Sequence, residues 1–240
     1  MNGDNEHWAS ISDMMSGLMI IFLFISVAYM NSVTKSKVAL EAAKVQAEAA
    51  RQKVESIAQT WDRVQVQLYN DLYAEFRDNL ESWDAHIDRK TLSVRFREPS
   101  VFFNAGSSRL TPGFEKVLDE FFPRYIKILD RYKNHIAEVR IEGHTSSEWK
   151  GVTDSLKAYF LNMQLSQDRT RAVLHYCLEM PQVSGYLDWA MSTITANGMS
   201  SSHPVLNPDH TENPDLSRRV EFRVRIDSYS SIKEILEDTK

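Results

Sequence analysis

The sequence predicts a single N-terminal transmembrane helix, a long helical linker and an α/β sandwich domain of βαβαβ type. Three observations predict this. An apolar run from Trp8 to Met30 holds one residue charged at neutral pH, Asp13. The stretch from Thr34 to about Trp83 contains neither Gly nor Pro. From about His86 onward, strand-like alternation and helix-like spacing take turns. The expected divisions are residues 1–33 for the N-terminus and span, 34–85 for a helical linker and dimerisation segment, 86–227 for the α/β domain and 228–240 for a tail.

The span comes first. Its 23 residues measure about 34 Å as a helix, enough to cross a hydrocarbon core of roughly 30 Å. Placing a charged Asp at the bilayer centre costs roughly 2.5 to 3.5 kcal/mol on insertion scales, so such an acid faces protein or water and marks a pathway. Ala9, Ser12, Ser16, Gly17 and Ile20 share the Asp13 face by helical spacing, whereas Met15, Leu18, Phe22 and Ile25 lie away. One side is small and polar, suited to close approach by partner helices, and the other suits lipid. The alternative is a span starting at Met14, with Asp13 as an interfacial N-cap. Trp8 favours the first reading, because Trp8 and Tyr29 would bracket a span that includes the acid. Ser26-Val27-Ala28 resembles a signal-peptide cleavage site, but no Lys or Arg precedes the run, and the run is too long and carries an acid. The span is read as retained.

Composition narrows the function classes. The chain has 240 residues, 42% hydrophobic and 25% charged, ordinary for globular material apart from the span. A net charge of −5 provides no basic field, so nucleic acid is discounted as a partner. Cys177 is the only cysteine, which excludes an internal disulfide and a multi-cysteine metal site. Nothing points to an enzyme, a cofactor or a metal centre. His144 has no ligand partner at metal spacing and no nucleophile motif beside it, and reads as a satisfied or solvent-facing histidine. Asp4 and Glu6 precede the span while Lys35 and Lys37 follow it, so the positive-inside rule taken alone places the C-terminal bulk in the cytoplasm.

Beyond the span, KVALEAAKVQAEAARQKVESIA is a run of strong helix formers. Val54, Ile57, Trp61, Val64 and Leu68 step by three and four, and Leu72, Phe76, Leu80 and Trp83 continue after a phase shift. Such a stripe either pairs two copies in a parallel coil or packs on the domain that follows. In that domain, Leu92, Val94 and Phe96 alternate within a strand over 91–97. Thr111-Pro112 with Glu115 opens a helix over 112–133. EVRIEGHT (138–145) is a strand, and the helix over 155–180 is expected to break near Leu165-Ser166 with Ser166 as a cap. A short helix near 183–191, a strand over 192–198, a Pro-bearing loop and a strand over 218–226 complete the order, with helices on one face. Ile232, Ile235 and Leu236 suggest a last amphipathic turn or a frayed end.

The blocks IEGHT (141–145), NMQLSQDR (162–169), Ala196-Asn197-Gly198, Pro204-Val205 and RRVEF (218–222) resemble the OmpA-like peptidoglycan-binding domain in order and spacing. The resemblance implies a pocket for the diaminopimelate of the wall peptide. There an acid meets the ammonium and Arg169 meets the carboxylate, with Asn162 and Leu165 shaping the same wall and Arg218 on the final strand. Arginine suits this because its planar fork can hold a carboxylate bidentately. Two positions depart from the family pattern: Ser146 stands where the acid is expected, and Ser200 where the second loop glycine is expected. Glu148 is the nearest substitute acid.

A short N-terminus, a span opening on Ser12-Asp13, a helical connector and this domain together resemble the B subunit of ion-driven rotary stators, the MotB family. That resemblance implies two B chains within a ring of five MotA-like A chains, and Asp13 binding and releasing a proton, with sodium the alternative ion. It implies an inner-membrane, single-pass protein with a cytoplasmic N-terminus and a periplasmic wall-binding domain, overriding the charge rule. The short acidic start and modest length are closer to the B subunit of Zorya anti-phage defence systems than to a flagellar stator. A flagellar-type stator subunit and a passive membrane-to-wall anchor stay open as alternatives, while an energiser of the TolR and ExbD type fits less well with the wall-binding blocks.

Overall fold

In the computed structural model the described residues are 3–97, 102–104 and 106–227. The side chains of Trp8, Ala9, Ile57 and Trp61, and the tail residues Ile232, Ile235 and Leu236, lie outside the description. The chain divides into two units, Met1–Ser56 and Ile57–Lys240, and helix α1 (Gly3–Phe76) contributes to both.

In the first unit the helix is continuous through the apolar run. Among the described residues it is the one helix long and apolar enough to cross a membrane. Two of its hydroxyls are satisfied within the helix: Ser16 Oγ donates to Ser12 O at 2.8 Å and Thr34 Oγ1 to Met30 O at 2.8 Å. Because α1 begins at Gly3, Asp13 lies well inside the helix. The N-cap reading of Asp13 is therefore corrected, since a cap must sit where the helix starts.

The second unit is a five-stranded sheet with helices packed on one face. Its strands are β1 (Ala85–Asp88), β2 (Ser93–Arg97), β3 (Ile136–His144), β4 (Ile194–Ser200) and β5 (Arg219–Ile226), in the order β1-β2-β5-β3-β4. β3 and β4 run parallel, joined by a crossover helix, and the other pairings are antiparallel. Helices α2 (Pro112–Asp130) and α3 (Ser155–Glu179) cover the sheet, followed by short α4 (Leu187–Thr193) and α5 (Pro214–Ser217). Strand alternation sends Val94, Phe96, Val139, Ile141, Val220, Phe222 and Val224 into the core and Arg95, Glu142, Arg219, Glu221 and Arg223 to the other face.

The helix stripe reaches into this core. Leu68, Leu72 and Phe76 of α1 are fully buried, and Trp83 nearly so, among Phe96, Phe121 and Phe222. Phe76 and Phe121 rings lie 5.1 Å apart and Phe121 and Phe222 rings 5.0 Å apart. Arg124 of α2 holds the end of α1: its Nε donates to Glu75 Oε1 at 2.7 Å, its Nη2 to Glu75 O at 2.6 Å, and its guanidinium lies 4.9 Å from the Phe76 ring centre. Helix α1 stops at Phe76, not near Trp83, and turns carry the chain to Asp84, where φ is 44°. The turns let Leu80 and Trp83 fold back onto the core instead of following the helix face.

Two further details differ from expectation. β1 was not expected, because AHID (85–88) is too short for an alternation signal. Helix α2 starts as predicted, with Thr111 Oγ1 accepting from Phe114 N at 3.2 Å and Pro112 in the first turn. Helix α3 is unbroken at Leu165-Ser166. Its cap is Asp154, whose carboxylate accepts from Leu156 N and Lys157 N, while Ser166 Oγ instead donates to Met163 O and accepts from Ser200 N.

Candidate wall-binding cleft and its relatives

Two glycines set the close approach of α3 to the sheet. A Cβ on Gly198 would sit 2.5 Å from Gln167 N, and one on Gly143 would sit 2.7 Å from Thr170 Cγ2. Only the hydrogen of glycine fits there. This approach carries one face of α3 to the loops that follow β3. The five expected residues Ser146, Asn162, Leu165, Arg169 and Arg218 all line one cleft of about 970 Å³, together with Phe103, Thr145 and Trp149. Glu148 and Lys150, both exposed, stand at its edge.

Asn162, Leu165 and Arg169 lie on α3, Ser146 in the loop after β3 and Arg218 just before β5. Asn162 donates from Nδ2 to Ser146 O at 3.1 Å and to Glu148 O at 3.3 Å, fixing the loop after β3 against α3. Arg169 is 8% exposed, donates from Nε to Ser107 O at 2.9 Å and lies 4.8 Å from the Phe103 ring centre. Burial first, then the nearby Arg218 charge, lowers its pKa to about 10, so it stays cationic at neutral pH. Among the described residues no acid forms an ion pair with it. Arg218 is paired with Asp215 and reaches Ser146 Oγ from Nη1 at 3.5 Å. Thr145 Oγ1 is buried without a hydrogen-bond partner among the described residues. The floor thus offers one uncompensated guanidinium, backed by an aromatic ring, with unused donors around it.

Ser200 answers its own departure from the family pattern. Its φ of 51° is a left-handed value that favours glycine, yet its Oγ donates to Tyr159 O at 2.7 Å and its O accepts from Thr145 N at 2.9 Å. Hydrogen bonds offset the backbone cost of about 1 to 2 kcal/mol.

Behind the cleft lies a second cluster that was missed in the sequence. His144 is buried, not solvent-facing, and neither ring nitrogen has a hydrogen-bond partner among the described residues. Its Nε2 is 3.6 Å from Glu142 Oε2 and 3.9 Å from Glu221 Oε1. The three side chains bring possible ligand atoms within 4.8 Å of one another. That spacing corrects the expectation that His144 has no partner at metal distance. The carboxylates are already taken by guanidiniums, however: Arg219 Nε lies 2.6 Å and Arg95 Nε 3.1 Å from Glu221, and Arg223 Nε 3.3 Å from Glu142. Three cations around two acids disfavour a further cation, so the cluster reads as a buried ion-pair network. A signal was present: alternate charges in EVRIEGHT and RRVEFRVRI occupy facing positions of two paired strands.

The chain is similar to several known proteins. A family model, the OmpA family, matches residues 102–216. The Zorya protein ZorB of Escherichia coli strain Crooks is 46% identical over 235 residues, covering 98% of this chain and 94% of that protein. Among solved structures, a MotB-like protein from Desulfovibrio vulgaris is 24% identical, with a TM-score of 0.49, covering 70% of this chain and 95% of that one. The periplasmic domain of Helicobacter pylori MotB is 18% identical, with a TM-score of 0.40, covering 61% of this chain and 85% of that one. Fold and cleft define a protein that carries an OmpA-type domain behind one membrane-length helix. The chain belongs to the ZorB family.

Proposed function

We propose that this protein is the B subunit of an ion-driven rotary stator in the bacterial inner membrane, anchored to peptidoglycan and acting in anti-phage defence. Two copies sit inside a ring of five MotA-like A subunits, with the N-terminus cytoplasmic and the OmpA-like domain periplasmic. Asp13 takes up a proton on one side and releases it on the other, and uptake removes the charge that apolar surroundings disfavour. One charge crossing the potential supplies about 2.3 kcal/mol per 100 mV, enough to bias a rotation step. The wall anchor keeps the B dimer from turning with its ring.

The observation that carries this reading is the pairing, in one chain, of a lone acid inside a membrane-length helix with a cationic cleft in a separate folded unit. A passive anchor needs the second feature and has no use for the first. Reconstitution with the multi-span A subunit in vesicles loaded with a pH-sensitive dye tests it. Proton entry is expected when a potential is imposed, and its absence from an assembled complex, with sodium entry absent too, would contradict the channel reading.

A further inference from the structure

The charges on the cleft floor are unequal to those of a zwitterion. Arg169 is buried and has no acid partner among the described residues, while Arg218 is shared with Asp215 and turns one amino group to Ser146 Oγ at 3.5 Å. The hydroxyl of Ser146 and the unpartnered hydroxyl of Thr145 are the neutral groups beside them. The acid at the opening, Glu148, is exposed to solvent and stands near the equally exposed Lys150. A buried, charge-assisted contact to a carboxylate is strong, whereas an exposed ion pair at the edge contributes little.

Resting on the wall-binding reading, we infer that this cleft grips its ligand through a carboxylate alone, so that it accepts wall peptides whose side-chain amine is acylated as readily as those whose amine is free. The chemical class is a peptide carboxylate without a required ammonium. A cross-link consumes the amine and leaves the carboxylate, so cross-linked and uncross-linked peptides are equivalent ligands. Ser146 is the specificity-determining residue: with a hydroxyl in place of a carboxylate, the floor has no buried charge to pair with an ammonium or to be left unpaired by its loss.

The test uses the full chain in detergent micelles and three fluorescent forms of one wall tripeptide ending in diaminopimelate: unmodified, acetylated on the side-chain amine, and with the side-chain carboxylate converted to the carboxamide. Acetylation is expected to change Kd by less than about 3-fold, and the carboxamide to weaken binding by about 10-fold or more. Ser146→Asp, checked for an unchanged unfolding temperature, is expected to introduce a preference of about 10-fold for the free amine. A wild-type protein that already loses about 10-fold on acetylation overturns the inference while leaving wall binding intact. If none of the three peptides binds and intact sacculi are not retained either, the wall-binding reading itself fails, and this inference fails with it.

Discussion

Arg169 is the residue on which the proposed wall binding rests, and its neighbours give the reason for an arginine there. Its guanidinium is planar, stacked on Phe103 and tied to the Ser107 carbonyl, which leaves part of its donor fork aimed at the cleft. Lysine would keep the charge but lose the stacking and the bidentate geometry. Arg169→Lys and Arg169→Ala are both expected to lower retention on isolated sacculi by about 10-fold or more, with secondary structure unchanged. Sacculus pull-down followed by gel densitometry measures this, and full retention by the lysine variant would contradict the stacked-fork account. Behind the cleft, acid sensitivity follows from two buried titratable groups, His144 and Glu221. Burial first, and then the Arg219 charge, holds His144 below its ordinary 6.5, so its contribution is complete above that pH and declines as pH falls below it, because the unfolded chain takes up the proton more readily. Burial raises Glu221, but the Arg219 hydrogen bond and the charges of Arg219, Arg95 and His144 outweigh it and lower the carboxyl from 4.5 to about 2. That stabilisation is present above 4.5 and is lost as pH falls toward about 2. Thermal unfolding between pH 8 and pH 2 should therefore show two stages of loss, and His144→Gln should remove the upper one.

Among the elements, the carboxy-terminal part of α1 belongs to the folded domain as much as the strands do. Leu68, Leu72 and Phe76 are fully buried against α2 and the sheet, and Phe→Ala truncation in such a place costs about 3 to 5 kcal/mol. A fragment of residues 57–227 is expected to unfold cooperatively, whereas one of residues 86–227 should bind a hydrophobic dye and show no sharp transition. Equal unfolding temperatures for the two fragments would refute this. The sequence carried the stripe but not its use, because a three-four spacing is the same whether it meets a second helix or a sheet. Val64 to Phe76 settled on the domain; the boundary near residue 86 marks where the sheet starts, while the compact unit reaches back to Ile57. Helix α3 was legible over 155–180 but with a break expected at Leu165-Ser166, and Ser166 looked like a cap because its side chain can bond to the backbone in more than one way. Its true partners, Met163 O and Ser200 N, lie on a neighbouring turn and on β4, and only the second is a tertiary contact. Gln167 on the same helix bridges the outer edge of β4, donating to Ala196 O at 3.1 Å and accepting from Gly198 N at 2.7 Å. It occupies backbone groups that an edge strand would otherwise offer to another chain.

For the whole molecule, the sequence was readable at both ends for different reasons. The apolar run needs only length and composition, and Asp13 stands out because a charge there is expensive. The cleft needed several separated blocks to be brought together by the crossover between β3 and β4, so its residues could be named in advance while their contacts could not. Thr145, Phe103 and Trp149 went unnoticed, since a hydroxyl or an aromatic side chain in a loop carries no signal until the sheet places it. In the function proposed above the two ends work together, the cleft holding the chain still while Asp13 passes ions. The role proposed for Asp13 as ion carrier is tested by phage protection in cells expressing the Asp13→Asn chain with its partner subunits, with complex assembly confirmed by co-purification. Protection is expected to fall to the level of cells lacking the system, because an amide of nearly the same shape cannot load and release a proton. Undiminished protection from a fully assembled Asp13→Asn complex would contradict that role.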